Sequence, residues 1–160
     1  MKDYAQQAAF HRAALLLGLT NGKEVLAWAD HVIMQDADAP HGFVELSLVP
    51  ADDLSELRHA LQPMAALIES PLILPALFDR VRDDFHTGSR TAKDSLTVLS
   101  QVRGFMKVPA QLSEEIATLV NAHMLATAHV TGDISETETR VREWLNQFAG
   151  GESAFHKEFS

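Results

Sequence analysis

The sequence contains no cysteine, which excludes disulfide bonds, thiolate metal sites and cysteine nucleophiles. It also contains no apolar run that approaches the roughly 18 residues of a membrane-spanning helix. The first residues lack the apolar stretch of a signal peptide. From these absences we expect a protein that does not enter a membrane, and a cytoplasmic location follows by default.

The sequence signatures of common catalytic sites are missing as well. There is no glycine-rich phosphate loop, no Gly-x-Ser-x-Gly nucleophile elbow and no dinucleotide-binding fingerprint. Eight histidines are present, but no His-Glu-x-x-His motif occurs. No two histidines lie three or four residues apart on one predicted helix, the spacing that aims both rings at one metal ion. The sequence therefore provides no catalytic residue and no cofactor, although the missing motifs do not disprove an enzyme.

The net charge of −9 is concentrated at the two ends of the chain. Residues 1–62 carry four basic and nine acidic side chains, residues 63–110 carry six and five, and residues 111–160 carry three and eight. Binding to nucleic-acid phosphates needs a basic face, so this distribution argues against a nucleic-acid partner. It favours either solubility alone or attraction to a basic protein.

Length and apolar spacing predict the fold class. A chain of 160 residues with 46% hydrophobic residues can bury a core of its own as one domain. Apolar residues recur at spacings of three and four through most of the sequence, as on amphipathic helices. We therefore predict an all-α fold, a single compact domain of seven to eight helices over residues 1–150. Residues 151–160 are predicted to form a tail that is either docked or disordered.

The clearest local signals predict a helical hairpin at the start of the chain. A first helix runs from about Asp3 to Leu17, and Gly18 suits its left-handed C-terminal position. Asn21 is placed to cap a second helix that continues to about Ile33. Residues 43–49 alternate as in a half-buried strand, but no second strand could pair with them. A short helix is therefore the preferred prediction.

Two further caps are predicted in the last third of the chain. Ser113 is expected to cap a long helix that continues to about Val130. Ser135 has a glutamate three residues further on, the capping-box pattern, and is expected to begin the last main helix. Gly150 follows the apolar residues of that helix and is expected to end it.

One loop could supply metal ligands. His31, Asp36, Asp38 and His41 combine nitrogen and oxygen donors at a helix end and in the loop that follows it. The commoner alternative for such a stretch is a solvated acidic turn.

Three residues are candidates for binding. His123 lies near the centre of a predicted apolar helix face, with Thr127 one turn further on. A histidine in that position is either a pocket base or, more commonly, a core histidine with a hydrogen-bond partner. Asp30 lies at the margin of the face that carries Trp28, where an aspartate more often has a structural role than a catalytic one.

The first third of the chain resembles a helical module of small bacterial all-helical proteins that have no assigned activity. The residues that carry the resemblance are Gly18-Leu19, Glu24-Val25, Trp28-Ala29-Asp30, Ile33, Glu45-Leu46-Ser47 and Leu54. The resemblance implies a helical fold and supplies no catalytic residue. Some small acidic helical proteins of bacteria are immunity proteins that neutralise basic toxins, and this analogy suits the charge.

Three hypotheses of function follow. The first is a non-catalytic protein–protein interaction module, in its narrowest form an acidic immunity-type inhibitor of a basic toxin. The second is a metal-dependent enzyme that uses histidine and aspartate side chains. The third is a self-associating regulatory or structural domain, which would form a homo-oligomer.

Overall fold

The computed structural model describes residues 3–149 of the chain. This region is all-helical, and the predicted fold class is confirmed. Its α-helices are α1 (Tyr4–Leu17), α2 (Gly22–Gln35), α3 (Gly42–Ser47), α4 (Leu54–Ala65), α5 (Leu74–His86), α6 (Ala92–Phe105), α7 (Ala110–Thr127) and α8 (Ile134–Asn146). A single 3₁₀ turn, Ser70–Leu72, follows α4. The stretch that resembled a strand contains the short helix α3, as preferred. None of the helices in residues 3–149 is long and apolar enough to cross a membrane.

The described residues form two compact units. Unit 1 comprises residues 3–73 with α1 to α4, and unit 2 comprises residues 74–149 with α5 to α8. The assignment of residues 1–150 to one domain stays a prediction. The predicted tail, 151–160, lies outside the described residues.

The predicted signals between α1 and α2 are confirmed. Gly18 ends α1 in the left-handed region with φ 73°, a conformation that glycine adopts without strain. The Asn21 side chain caps α2 by accepting a hydrogen bond from the Glu24 backbone N–H at 2.9 Å. The two helices follow each other directly, as a hairpin does. The backbone of α1, however, packs mainly along α4, and that of α2 along α3.

Side chains of α1 and α2 meet in the core of unit 1. Trp28 is 2% exposed, and its indole N–H donates to the buried Gln7 side-chain oxygen at 2.9 Å. The ring of His11 lies 4.3 Å from the Trp28 ring, and the ring of Phe43 lies 5.0 Å from it. The side chains of Gln7 and His11 therefore join α1 to Trp28 of α2, although the backbone of α1 packs more closely along α4. Trp28 faces inward, as its position on the helix predicted.

In unit 2, α7 packs between α6 and α8, and α8 also packs on α5. Buried aliphatic and aromatic side chains from all four helices form the core. They include Leu77, Phe78, Val81, Leu99, Val102, Ile116, Val141 and Leu145. This packing leaves both flanks of α7 as grooves, one beside α6 and one beside α8.

The predicted caps of α7 and α8 are wrong by a few residues. The N-cap of α7 is Pro109, so Ser113 lies within the first turn, where its hydroxyl accepts from Arg103 Nε at 2.8 Å. The helix ends at Thr127, before Val130. Asp133 rather than Ser135 caps α8, because its carboxylate reaches the Ser135 backbone N–H at 3.2 Å.

Candidate functional site

The four metal-ligand candidates of the sequence do not come together. No group of three or more His, Asp or Glu side chains within residues 3–149 is arranged to hold a metal ion. Asp36 instead ends α2, where its carboxylate accepts hydrogen bonds from the Tyr4 hydroxyl at 2.7 Å and from the Asp38 backbone N–H at 3.0 Å. His31 is half-buried on α2, and His41 is exposed. The geometry therefore assigns this loop a role in folding.

Asp30 lies on the exposed side of α2, although Trp28, two positions earlier, is buried. It lines none of the grooves described below. The structure therefore gives no support to a binding role for Asp30.

His123 and Thr127, the other two binding candidates, line one groove between α6 and α7. Its volume is about 660 Å³. The apolar part of the wall is formed by Leu96, Val120 and Met124. The remaining lining residues are Lys93, Thr97, Ser100, Gln101 and Ala128. We call this surface the apolar groove.

Hydrogen bonds fix the orientation of His123 in this wall. Its Nδ1 lies 3.4 Å from the Thr137 hydroxyl of α8, and that hydroxyl donates its own hydrogen to the Ile134 carbonyl at 2.8 Å. With its hydrogen directed to that carbonyl, the Thr137 oxygen is left as an acceptor for an Nδ1–H group of His123. Thr127 bonds to the backbone carbonyl of His123 at 2.8 Å rather than to its ring. His123 is thus a half-buried histidine with a hydrogen-bond partner, and its ring also forms part of a groove.

The opposite flank of α7 has a different character. Two adjoining grooves of about 580 and 210 Å³ lie between α7 and α8, and both are lined by Thr118 and Arg140. Four glutamates line them: Glu114, Glu115, Glu136 and Glu143. None of the described ion pairs involves these glutamates or Arg140. We call this surface the acidic groove.

An aromatic cluster holds α8 in place beside this groove. The rings of Phe78, Trp144 and Phe148 lie 4.7–5.4 Å from one another, with tilted or edge-on geometry. Trp144 lines the groove, and its indole N–H donates to the Glu115 carboxylate at 3.2 Å. One carboxylate is therefore held in position by α8, while Glu114 and Glu143 are exposed to solvent.

The sequence contained a signal for the acidic groove that motif searches do not detect. Glu136, Arg140 and Glu143 are spaced by four and three residues, so they share one face of α8. Glu114, Glu115 and Thr118 are similarly close on α7. The pairing of these two faces is a tertiary contact, which neither pattern specifies alone.

No protein family, no curated protein and no solved structure matches this chain. The resemblance of residues 18–54 to a bacterial helical module stays a prediction.

Proposed function

We propose that this protein is a non-catalytic binding module that recognises a basic protein partner through the acidic groove of unit 2. The observation that carries the proposal is the set of four glutamates, with a single arginine, that lines one continuous surface between α7 and α8. Lysine and arginine side chains of a partner would find carboxylates there that take part in none of the described ion pairs.

The composition of the groove supports a peptide or protein partner rather than a small anion or a nucleic acid. Its formal charge is negative, so phosphates would be repelled. Thr118 and Asn121 on α7 add hydrogen-bonding groups between the carboxylates. Trp144 offers a partly exposed aromatic face, a residue type that is enriched at protein interfaces and attracts cations. An immunity-type inhibitor of a basic toxin is the narrowest form of this proposal.

The test measures the affinity of the protein for a lysine-rich peptide and for a glutamate-rich peptide of equal length by titration calorimetry. We expect only the lysine-rich peptide to bind. Its affinity should fall as salt shortens the screening length from about 10 Å at 0.1 M to about 3 Å at 1 M. Salt-insensitive binding, or equal binding of the two peptides, would contradict the proposal.

A matched pair of triple variants locates the site. The substitutions Glu114→Gln, Glu115→Gln and Glu143→Gln remove three charges from the acidic groove. The control removes three charges from exposed positions of unit 1, with Asp52→Asn, Glu56→Gln and Glu69→Gln. We expect the first variant to lose about tenfold in affinity, since exposed ion pairs contribute about 0.2–1 kcal/mol each, and the control to lose much less. Equal losses would mean that only net charge matters.

A further inference from the structure

The apolar groove between α6 and α7 has the dimensions of a small-molecule site. Its volume of about 660 Å³ lies within the range of about 300–1,000 Å³ that is usual for ligand pockets. Met124 forms part of its wall with 63% of its surface exposed. A methionine is a flexible and polarizable side chain that adapts to an apolar ligand.

Polar side chains surround the apolar wall. On α6 the lining runs from Lys93 at one end to Gln101 at the other, a length of about 12 Å at the helical rise. Thr97 and Ser100 lie between these ends on α6, and Thr127 lines the groove from α7. The apolar surface is therefore short and bounded, which suits an elongated small molecule better than a long helix.

The charge in this groove is opposite to that of the chain. Lys93 is the one lysine, arginine, aspartate or glutamate among the lining residues. None of the described ion pairs involves Lys93, and its backbone carbonyl accepts from the Thr97 hydroxyl at 2.9 Å. In a chain of net charge −9, one end of an apolar groove thus offers an uncompensated cation.

We propose that the apolar groove binds an amphiphilic carboxylate, such as a medium-chain fatty acid. The hydrocarbon chain lies along Leu96, Val120 and Met124, and the carboxylate pairs with the Lys93 ammonium group. This site is on the flank of α7 opposite the acidic groove. Its test therefore does not depend on whether the proposed basic partner binds.

The probes are decanoate, decylamine and acetate, titrated calorimetrically below the concentrations at which the first two aggregate. Decanoate and decylamine share their chain length and differ in the sign of their charge. We expect decanoate to bind at least about tenfold more tightly than decylamine, and acetate not to bind, because the site needs both chain and charge. Equal affinities for decanoate and decylamine, or no binding of decanoate, would overturn the proposal.

Variants locate the ligand. Lys93→Glu should lower the affinity for decanoate about tenfold and raise that for decylamine, and Lys93→Gln should have the smaller effect of charge removal alone. Lys23→Glu, at an exposed lysine of α2, is the matched control and should leave both affinities unchanged. Met124→Glu should abolish decanoate binding by placing a charge in the wall. Circular dichroism verifies the fold of each variant.

Two outcomes of these variants would count against the proposal. Unchanged decanoate affinity in both Lys93 variants would show that the carboxylate does not pair with this residue. Light scattering that reveals a wild-type dimer, which Met124→Glu dissociates, would assign the groove to a second copy of the chain instead.

Discussion

The two tryptophans of the chain lie in different surroundings, one in each unit. Trp28 in unit 1 is almost completely buried and bonds to the buried Gln7 amide. Trp144 in unit 2 is half-buried, lines a groove and bonds to Glu115 in its wall. The same side chain thus organises a core in one unit and a surface in the other.

Polar groups near the two tryptophans show the same contrast. In unit 1 the Tyr4 hydroxyl bonds to Asp36, and the His11 ring lies within the aromatic core. In unit 2 Glu114 and Glu143 face solvent beside a groove. Unit 2 also buries Asp79, Ser95 and Thr137, so the contrast concerns the surface around Trp144 and not every polar group of the unit.

The largest expected difference in stability between the two units comes from a pair of glycine substitutions. In unit 1 a Cβ at Gly22 would lie 1.8 Å from the Ala51 carbonyl oxygen, so two backbone segments would have to separate. We expect Gly22→Ala to lower the free energy of unfolding by at least about 3 kcal/mol, measured by chemical denaturation.

Gly104 in α6 of unit 2 is the matched control. An added Cβ at this position meets nothing within 4 Å. Gly104→Ala should therefore raise the free energy of unfolding by up to about 1 kcal/mol through helix propensity. Equal destabilisation by the two substitutions would contradict the close approach at Gly22.

The next largest difference in stability should come from substitution of the two tryptophans. Trp28→Phe leaves the Gln7 oxygen buried without its donor and should cost about 2–3 kcal/mol. Trp144→Phe should cost about 1 kcal/mol or less, because Glu115 can turn to water. Amide hydrogen exchange in α1 and α2 measures the loss of stability in the Trp28 variant. Exchange in α7 and α8 measures the loss in the Trp144 variant. A larger loss for Trp144→Phe would reverse the assignment of roles.

A second substitution tests whether the lost hydrogen bond, rather than lost packing, accounts for the destabilisation expected of Trp28→Phe. Gln7 Nε2 has no hydrogen-bond partner within the described residues, so Gln7→Leu removes two polar atoms that are unsatisfied once Trp28 is replaced by phenylalanine. The double variant should recover about 1 kcal/mol relative to Trp28→Phe, because replacement of both partners avoids a buried unpaired group. A double variant that is less stable than Trp28→Phe would show that packing dominates instead.

The smallest effect on stability per substituted residue should come from the acidic groove. The triple variant Glu114→Gln, Glu115→Gln and Glu143→Gln should change the free energy of unfolding by no more than about 0.5 kcal/mol per site, as at most surface positions. The amide that replaces the Glu115 carboxylate keeps an oxygen that can accept from Trp144. A large loss in thermal denaturation would indicate that these glutamates serve the fold rather than a partner.

Local signals in the sequence predicted the helices well. Gly18 and Asn21 act at the positions predicted for them, because a left-handed glycine and a capping amide depend on neighbouring backbone alone. The caps of α7 and α8 were misplaced for different reasons. Pro109 begins α7 without a side-chain cap, whereas Asp133 takes the capping position that Ser135 could also have filled.

The contacts between helices could not be predicted from the sequence. Helical periodicity placed Trp28 inward, but it could not reveal that the His11 ring packs against the Trp28 ring. It identified His123 and Thr127 as neighbours, yet the groove that they share with Lys93 depends on the pairing of α6 with α7. The charge counts identified an acidic C-terminal segment, but they could not show which of its glutamates lie next to one another in the fold.

The most direct test of the proposed site in unit 2 is to map the lysine-rich peptide by nuclear magnetic resonance at low salt. The account predicts that amide shifts concentrate in residues 111–125 of α7 and 136–144 of α8, with little change in unit 1. Shifts that cluster on α2 or α4, or that spread evenly over all exposed acidic residues, would contradict it.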